Sequence, residues 1–130
     1  MCAMGKESFD VVILIAHGAR DARWMEPFHA LRGVLAERLA PKKVALAFME
    51  FAEPTLSDAA AEVTRAGAHH ILVAPLFLSG GGHVAKDIPE LVEAERLRHP
   101  DATFAIAGAI GEEPEVAAGM LEAITRLSMG

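Results

Sequence analysis

Four short apolar runs, each followed by a segment with helical spacing, are the feature that most limits how this chain can fold. The runs cover residues 9–16, 44–49, 71–74 and 103–107. The first run is rich in β-branched residues and apolar on both faces, which is typical of a buried parallel strand. Strands and helices that alternate with short links predict an α/β fold: a four-stranded parallel sheet with right-handed crossovers and helices on both faces.

The segments between the runs carry apolar residues at every third or fourth position, as amphipathic helices do. The stripes are Trp24, Phe28, Leu31, Leu35 and Leu39; Leu56, Ala60 and Val63; Val84, Ile88, Leu91 and Val92; and Val116, Met120, Ile124 and Leu127. We interpret Trp24 and Phe28 as core residues, and we expect Pro54 in the first turn of the second helix. Because Pro75 removes a donor from the third strand, we expect that strand to bend or lose pairing there.

Length and composition exclude several classes of protein. The chain has 130 residues and a formal net charge of −6, and 52% of its residues are apolar. That apolar fraction is too high for a disordered chain, and no apolar run reaches the roughly 18 residues that a membrane helix needs. An acidic chain without a Lys/Arg cluster binds nucleic acid poorly. We therefore expect one domain over residues 1–130, with residues 1–8 as a flexible tail, and neither a nucleic-acid nor a membrane partner.

The cysteine count and the first ten residues indicate where in the cell the protein is located. Cys2 is the single cysteine, so the chain forms no internal disulfide, which fits a reducing environment. The first ten residues lack the basic stretch and continuous apolar core of a signal peptide. We therefore expect a cytoplasmic location.

Polar residues follow the first three predicted strands, at the edge where ligands bind in open parallel sheets. They are His17, Arg20 and Asp21 after the first strand, Glu50 and Glu53 after the second, and Ser79, Gly80, Gly81, Gly82 and His83 after the third. If the second and third strands flank the first, two imidazoles and a carboxylate face one crevice. Such groups suit a divalent first-row metal, and they also accept protons near pH 7.

Each of these residues also has an ordinary structural interpretation. His17 could be a hydrogen-bonding turn residue, Glu53 could charge a helix start, and Glu50 could be a surface residue at a strand end. The three glycines could cradle a phosphate, but they lack the Walker Lys-Ser/Thr ending and the Rossmann glycine spacing. The remaining histidines are interpreted as structural or solvated; they are His29, His69, His70 and His99.

Three segments together resemble the sirohydrochlorin cobaltochelatases of the short CbiX type, which are class II chelatases related in architecture to the ferrochelatases. The first segment is VVILIAHGARD at 11–21, the second is FMEFAEPTL at 48–56, and the third is PLFLSGGGHV at 75–84 followed by DIP at 87–89. The likeness extends from about residue 9 to residue 127. One departure is Ala19, where the family commonly has Ser, so a hydroxyl that could hold the first loop is missing.

The resemblance implies ATP-independent insertion of a divalent metal into sirohydrochlorin or a related tetrapyrrole, in cobalamin or siroheme-type biosynthesis. It implies that His17 and His83 bind the metal and take up pyrrole protons, and that Glu50 matches a carboxylate position that joins the metal site in some relatives. Cobalt is the metal expected first, with Fe²⁺ and Ni²⁺ as alternatives, and no nucleotide is involved. Chains of this length are implied to be homodimers whose partner closes the cleft.

The implied substrate bears carboxylates, so an acidic protein needs local positive groups to bind it. Candidate donors are Arg20, Arg23, Lys86 and the backbone amides of Ser79, Gly80, Gly81 and Gly82 at a helix start. Candidate apolar walls are Phe51, Leu76, Phe77 and Leu78. Two other functions stay open: a non-catalytic carrier of a metal or a tetrapyrrole, and an interaction domain with a vacant site.

Overall fold

The computed structural model describes residues 8–130, except for the side chains of His83 and Val84. Its strands are β1 (Val11–Ala16), β2 (Lys43–Phe48), β3 (His70–Pro75) and β4 (Thr103–Ile106). They form one parallel sheet in the order β2-β1-β3-β4, so β2 and β3 flank β1. The predicted four-stranded parallel sheet is confirmed. Of the predicted tail at residues 1–8, all but Ser8 lies outside the described residues.

The remaining elements are four α-helices and two 3₁₀ turns, of which the second turn and the last helix follow β4. They are the turn Ala22–Trp24, α1 (Glu26–Leu39), α2 (Leu56–Arg65), α3 (His83–Arg98), the turn Ile110–Glu112 and α4 (Pro114–Ser128). Helix α1 packs on one face of the sheet, and α2 and α3 pack on the other. Helices on both faces are therefore confirmed. No helix in residues 8–130 combines the length and apolar character needed to cross a bilayer.

The core is divided by the sheet into two clusters. On the α2–α3 side, Ile13 and Ile15 of β1 are fully buried with Ile88 and Val92 of α3. On the other side, the buried Leu14 and its neighbours pack under the partly buried apolar residues of α1. Because β1 lies at the centre and is covered on both faces, its sequence is continuously apolar rather than alternating.

Two expectations for the helices are wrong. Trp24 is 72% exposed, because it lies in the 3₁₀ turn before α1 and so falls outside the helical stripe. Pro54 precedes α2 instead of opening it. Thr55 is the N-cap: its side chain accepts a hydrogen bond from the Asp58 amide, and the Asp58 carboxylate accepts one from the Thr55 amide. This reciprocal capping box satisfies two amides that would otherwise lack partners, so it sets where the helix begins.

The expectation that β3 bends or loses pairing at Pro75 holds only on the side of β4. Pro75 keeps its register with Ile15, and the next amide, of Leu76, donates to the Ile15 carbonyl at 2.8 Å. Alternate residues of a strand direct their amides to opposite neighbours, so the missing donor of Pro75 faces β4. Strand β4 ends at Ile106, level with Val73, so little pairing is lost there.

Asp10 ties together the amino ends of β1 and β3. Its carboxylate accepts hydrogen bonds from the amides of His69 and His70 at 2.8 and 3.0 Å. These two bonds hold the pKa of the Asp10 carboxyl below its ordinary value. Because Asp10 serves this purpose, β1 begins at Val11, two residues after the predicted start at residue 9.

We predict that Asp10→Ala lowers the melting temperature at pH 7. The difference in melting temperature between the variant and the unsubstituted protein should become smaller toward about pH 3. A carboxyl whose pKa is lowered by folding stabilises the protein above its unfolded-state pKa of about 3.9, and this stabilisation is lost as the pH falls through the folded-state value. Thermal unfolding at several pH values measures it. Asp101→Ala, at another exposed carboxylate near this end of the sheet, is the matched control; a difference independent of pH would contradict the prediction.

Candidate functional site at the carboxyl edge of the sheet

The loops after β1 and β2 are joined directly through their backbones. The Met49 amide donates to the Ala16 carbonyl at 2.9 Å, and the Glu50 amide donates to the His17 carbonyl at 3.1 Å. Gly18 has a φ of +96°, and a Cβ at this position would collide with the Glu50 carbonyl oxygen. Only glycine tolerates both conditions. The backbone therefore brings His17 and Glu50 together, and it holds the first loop without a hydroxyl at residue 19.

The loop after β3 is fastened in the same way to the loop after β4. The Gly111 amide donates to the Phe77 carbonyl at 2.9 Å. Gly111 is buried, and a Cβ there would collide with the backbone of Leu78. Together with the bond from Leu76 to β1, these contacts gather all four strand-end loops at one edge. The site therefore rests on backbone contacts, and these require glycine at residues 18 and 111.

His17 and Glu50 are both exposed at this edge. The His17 imidazole meets the Phe77 ring edge to face, with ring centroids 6.0 Å apart and an interplanar angle of 82°. That contact orients the imidazole while leaving it accessible. Among the described side chains, no three from His, Cys, Asp and Glu lie close enough together to hold a metal ion. His83, the remaining predicted ligand, contributes the first residue of α3, and its side chain is outside the description.

Phe51 occupies an unusual backbone conformation beside the first loop. Its φ is +67°, in the left-handed region that costs a non-glycine residue about 1–2 kcal/mol. The ring is 55% exposed, and the guanidinium carbon of Arg20 lies 4.8 Å from its centroid. This cation–π contact joins the loops after β1 and β2 through their side chains. A strained residue that presents an aromatic face to solvent is a frequent mark of a binding site.

Two hydrogen bonds hold the glycine-rich loop, one within the loop and one to Glu112 after β4. The Ser79 hydroxyl oxygen accepts from the Gly81 amide at 3.2 Å, and the Gly80 amide donates to Glu112 Oε2 at 3.1 Å. Gly82, with a φ of +64°, forms the N-cap of α3. The loop thus leads directly from β3 into the helix that begins with His83.

Glu112 is the residue whose role the sequence analysis missed. It lies in the 3₁₀ turn after β4, and its carboxylate stands beside Gly80 and Gly108. The strand-end rule that identified the other residues could have found it, since Glu112 is the first ionisable side chain after β4. Its partner is a backbone amide more than thirty residues away, and sequence spacing gives no indication of such a contact.

Of three further candidates, Arg23 forms an ion pair, whereas Lys86 and Glu53 are exposed. Arg23 Nη2 lies 2.7 Å from Asp21 Oδ2, and this hydrogen bond lowers the pKa of the Asp21 carboxyl and raises that of the Arg23 guanidinium. The Arg23 side chain is largely exposed and that of Asp21 is partly exposed, so the pair adds little stability. Lys86 is exposed on the first turn of α3, and Glu53 is exposed in the loop after β2. Arg20 contacts the loop after β2 through its cation–π contact with Phe51.

A cleft of about 210 Å³ opens between the ends of β3 and β4 and the start of α3. It is lined by Pro75, Gly80, Ala85, Ile88, Pro89, Ile106, Ala107, Gly108, Ala109 and Glu112. This volume is below the roughly 300–1,000 Å³ of pockets that enclose a whole organic ligand. A large ligand would therefore lie across the open edge of the sheet rather than inside the chain.

We predict that Gly18→Ala destabilises the protein by at least about 1 kcal/mol, because alanine is strained at positive φ and its Cβ collides with the Glu50 carbonyl. Gly33→Ala is the matched control. Nothing lies within 4 Å of a Cβ there, and the position is helical, so stability should rise by about 0.5–1 kcal/mol. Urea unfolding measures both variants, and equal effects of the two substitutions would contradict the assigned contact.

We predict that Glu112→Ala loosens the glycine-rich loop without unfolding the sheet. The Gly80 amide loses its acceptor, so its hydrogen exchange should accelerate about five-fold or more, while amides of β1 keep their protection. Glu113→Ala removes the neighbouring exposed carboxylate and should leave the Gly80 amide unchanged. Hydrogen exchange of the Gly80 amide is measured by NMR. An unchanged exchange rate in Glu112→Ala would show that the bond to Glu112 does not protect this amide.

Comparison with known sequences finds relatives over most of the chain. The CbiX family model matches residues 11–127. The sirohydrochlorin cobaltochelatase of Methanocaldococcus jannaschii is 35% identical over 83 residues, which cover 64% of this chain and 58% of that protein. The sirohydrochlorin ferrochelatase of Bacillus subtilis is 30% identical over 106 residues, which cover 81% of this chain and 40% of that protein. The matched segments thus span less than two thirds of these relatives.

Solved structures share the architecture. A CbiX protein of Marinobacter aquaeolei VT8, described as a cobalamin biosynthesis protein, superposes with a TM-score of 0.81 at 33% identity and covers 92% of this chain and 98% of that one. The sirohydrochlorin chelatase SirB of Bacillus subtilis subspecies spizizenii, in complex with cobalt, has a TM-score of 0.80 at 24% identity and shows the fold alone. Since the CbiX model matches nearly the whole described chain, this protein belongs to the CbiX family.

Proposed function

We propose that this protein is a class II chelatase that inserts a divalent metal, cobalt in the first place, into sirohydrochlorin or a closely related tetrapyrrole without ATP. Such a reaction belongs to cobalamin or siroheme-type biosynthesis. The observation that carries the proposal is the backbone junction of the His17 and Glu50 loops, in a chain of the CbiX family. The names of its relatives, a cobaltochelatase and a ferrochelatase of sirohydrochlorin, support the reaction class.

In this proposal, His17, His83 and Glu50 receive the incoming ion. Imidazole and carboxylate ligands suit Co²⁺, and they also accept Fe²⁺ and Ni²⁺. The accessible His17 ring supports the role, because an ion that must be passed on needs ligands open to solvent. His83 follows the glycine-rich loop, whose position is held by Glu112, so its backbone is directed to the same edge.

Metal insertion releases two pyrrole protons for each ion bound. A neutral imidazole nitrogen either coordinates a metal or accepts a proton, and it cannot do both at once. We therefore assign metal holding to one histidine, while the other histidine takes one pyrrole proton and the Glu50 carboxylate takes the second. Once the ion is bound by the macrocycle nitrogens, this histidine and Glu50 pass the two protons to water.

The macrocycle has an apolar face and acidic substituents, and this edge offers groups of both kinds. Phe51 and Leu78 are 55% and 69% exposed, so their side chains can contact the apolar face of the macrocycle. Arg20 provides a positive charge beside Phe51 in an otherwise acidic chain. Ser79 and Gly82 supply further polar groups, while the amides of Gly80 and Gly81 already bind Glu112 and Ser79.

The assembly and the location are also proposals. We propose that the protein acts as a homodimer, because the site is an open edge rather than an enclosed pocket and a second subunit would cover it. We propose a cytoplasmic location, which agrees with the single cysteine and with the composition.

The test is anaerobic metal insertion into sirohydrochlorin, followed by absorbance, with Co²⁺, Fe²⁺ and Ni²⁺ offered separately. We predict insertion above the uncatalysed rate, fastest with Co²⁺, and a loss of about a hundred-fold or more in the His17→Ala/His83→Ala variant. His17 is exposed and lies outside the buried core clusters, and His83 is the first residue of α3, so we expect this variant to keep its melting temperature.

His69→Ala is the matched control, because His69 is an exposed histidine at the opposite end of the sheet. Its rate should equal that of the unsubstituted protein. Unchanged rates in the double variant would contradict the assignment of His17 and His83. Tight binding of the macrocycle with no acceleration by any metal would instead support the carrier function, and binding of neither ligand would support an interaction domain.

A further inference from the structure

Glu112 lies outside the proposed set of metal ligands, yet it holds the glycine-rich loop to the rest of the fold. This loop, residues 79–82, leads from the end of β3 into α3. The Gly80 amide donates to Glu112 Oε2 at 3.1 Å. A second hydrogen bond, from the Gly81 amide to the Ser79 hydroxyl, lies within the loop and moves with it. Among the described residues, the bond to Glu112 is therefore the one hydrogen bond that joins this loop to another strand-end loop.

Packing does not restrain the loop in place of this bond. In the part of the chain that the structure describes, a Cβ at Gly82 would have no heavy atom within 4 Å, and one at Gly81 would meet only the Ser79 hydroxyl of the same loop. Gly80 faces another segment: the Glu112 carboxylate oxygens lie 3.6 and 3.7 Å from the position of a Cβ there. Because glycine has more backbone freedom than any other residue, three in succession are costly to order. The loop therefore depends on Glu112 for a fixed position.

The segment just before this loop is fixed by a separate contact. The Gly111 amide donates to the Phe77 carbonyl at 2.9 Å, and the Phe77 ring meets the His17 imidazole. Phe77 thus keeps its place beside His17 through a bond that does not involve the Glu112 side chain. His83 comes beyond the three glycines. The Glu112 bond therefore acts on the backbone position of His83, and not on that of His17.

The glycine-rich loop also has space into which it can move. Gly80 and Glu112 both line the cleft of about 210 Å³, together with Ala85 and Ile88 of α3. Without the bond between them, the loop can shift toward this cleft, and His83 moves with it as the first residue of α3. Displacements of about 1 Å in positioned groups are enough to slow an enzymatic reaction strongly.

We propose that Glu112 is a positioning residue for metal insertion: its carboxylate holds Gly80 and thereby fixes the backbone of His83 relative to His17. This inference rests on the proposed chelatase function, in which both histidines receive the ion. In this role Glu112 touches neither the metal nor the macrocycle. It supplies an oxygen acceptor at the end of a side chain of this length, so the amide oxygen of glutamine should replace it and alanine should not.

The first test is steady-state insertion of Co²⁺ into sirohydrochlorin. Glu112→Ala should lower kcat/KM for Co²⁺ about ten-fold, because the two histidines are correctly placed for a smaller fraction of the time. The KM for sirohydrochlorin should change less than about two-fold, because this substitution leaves the proposed macrocycle contacts in place. Glu112→Gln should stay within about three-fold of the unsubstituted protein, since it keeps the hydrogen bond to Gly80.

Glu113→Ala is the matched control, because it removes the neighbouring exposed carboxylate, and its kinetics should equal those of the unsubstituted protein. Equal losses in Glu112→Ala and Glu112→Gln would overturn the proposal. The reaction would then need the charge of Glu112, as it would for a proton acceptor or a metal ligand, rather than its hydrogen bond. An unchanged kcat/KM for Co²⁺ in Glu112→Ala would overturn it as well.

Binding of Co²⁺ without the macrocycle separates this inference from the proposed reaction. In titrations followed by the visible absorption of bound Co²⁺, Glu112→Ala should raise the dissociation constant about five-fold or more, and Glu112→Gln less than about two-fold. An unsubstituted protein that binds Co²⁺ but inserts none would refute the chelatase function, and these titrations would still decide the role of Glu112. Equal affinities in Glu112→Ala and the unsubstituted protein, or no binding by the latter, would refute the positioning role.

Discussion

The parallel pairing of β1 with both β2 and β3 is the constraint on which the rest of the structure depends. It places three strand ends side by side, so that the residues following them meet at one edge. It also puts β1 at the centre of the sheet, where helices cover both of its faces, and its residues are accordingly continuously apolar. The loops then add short backbone bonds of their own, from Glu50 to His17 and from Gly111 to Phe77. The candidate site is thus a product of the strand order.

Much of this arrangement could be predicted from the sequence, because it follows from periodicity. Four apolar runs and four helical stripes indicated the parallel sheet, and glycine, histidine and acidic residues after the strands indicated the edge where ligands bind. The wrong predictions concern residues at which a local interaction overrides a rule based on residue spacing or position. Trp24 fits the helical spacing but falls in a 3₁₀ turn, and Thr55 rather than Pro54 starts α2 through its capping box.

The remaining features depend on contacts between distant segments, for which one sequence gives no signal. The bond from Gly80 to Glu112 joins loops that follow different strands. The apolar stripe of α4, which includes Ile124 and Leu127, is exposed, although it looks like an ordinary buried stripe in the sequence, since the pattern does not say whether the covering surface lies in the same chain. The effect of Pro75 on pairing was only half predicted for a related reason: it depends on which neighbour the Pro75 nitrogen faces and on where β4 ends.

Asp10 and the candidate site lie at opposite ends of the sheet, and this separation has an evolutionary consequence. The bonds that fasten the amino ends of β1 and β3 are remote from His17 and Glu50, whose exposed side chains add little to the buried core. Replacement of the His17 or Glu50 side chain therefore costs the fold little. In the proposed chelatase, a lineage could alter the choice of metal by single substitutions at these exposed side chains, without first acquiring compensating changes in the interior.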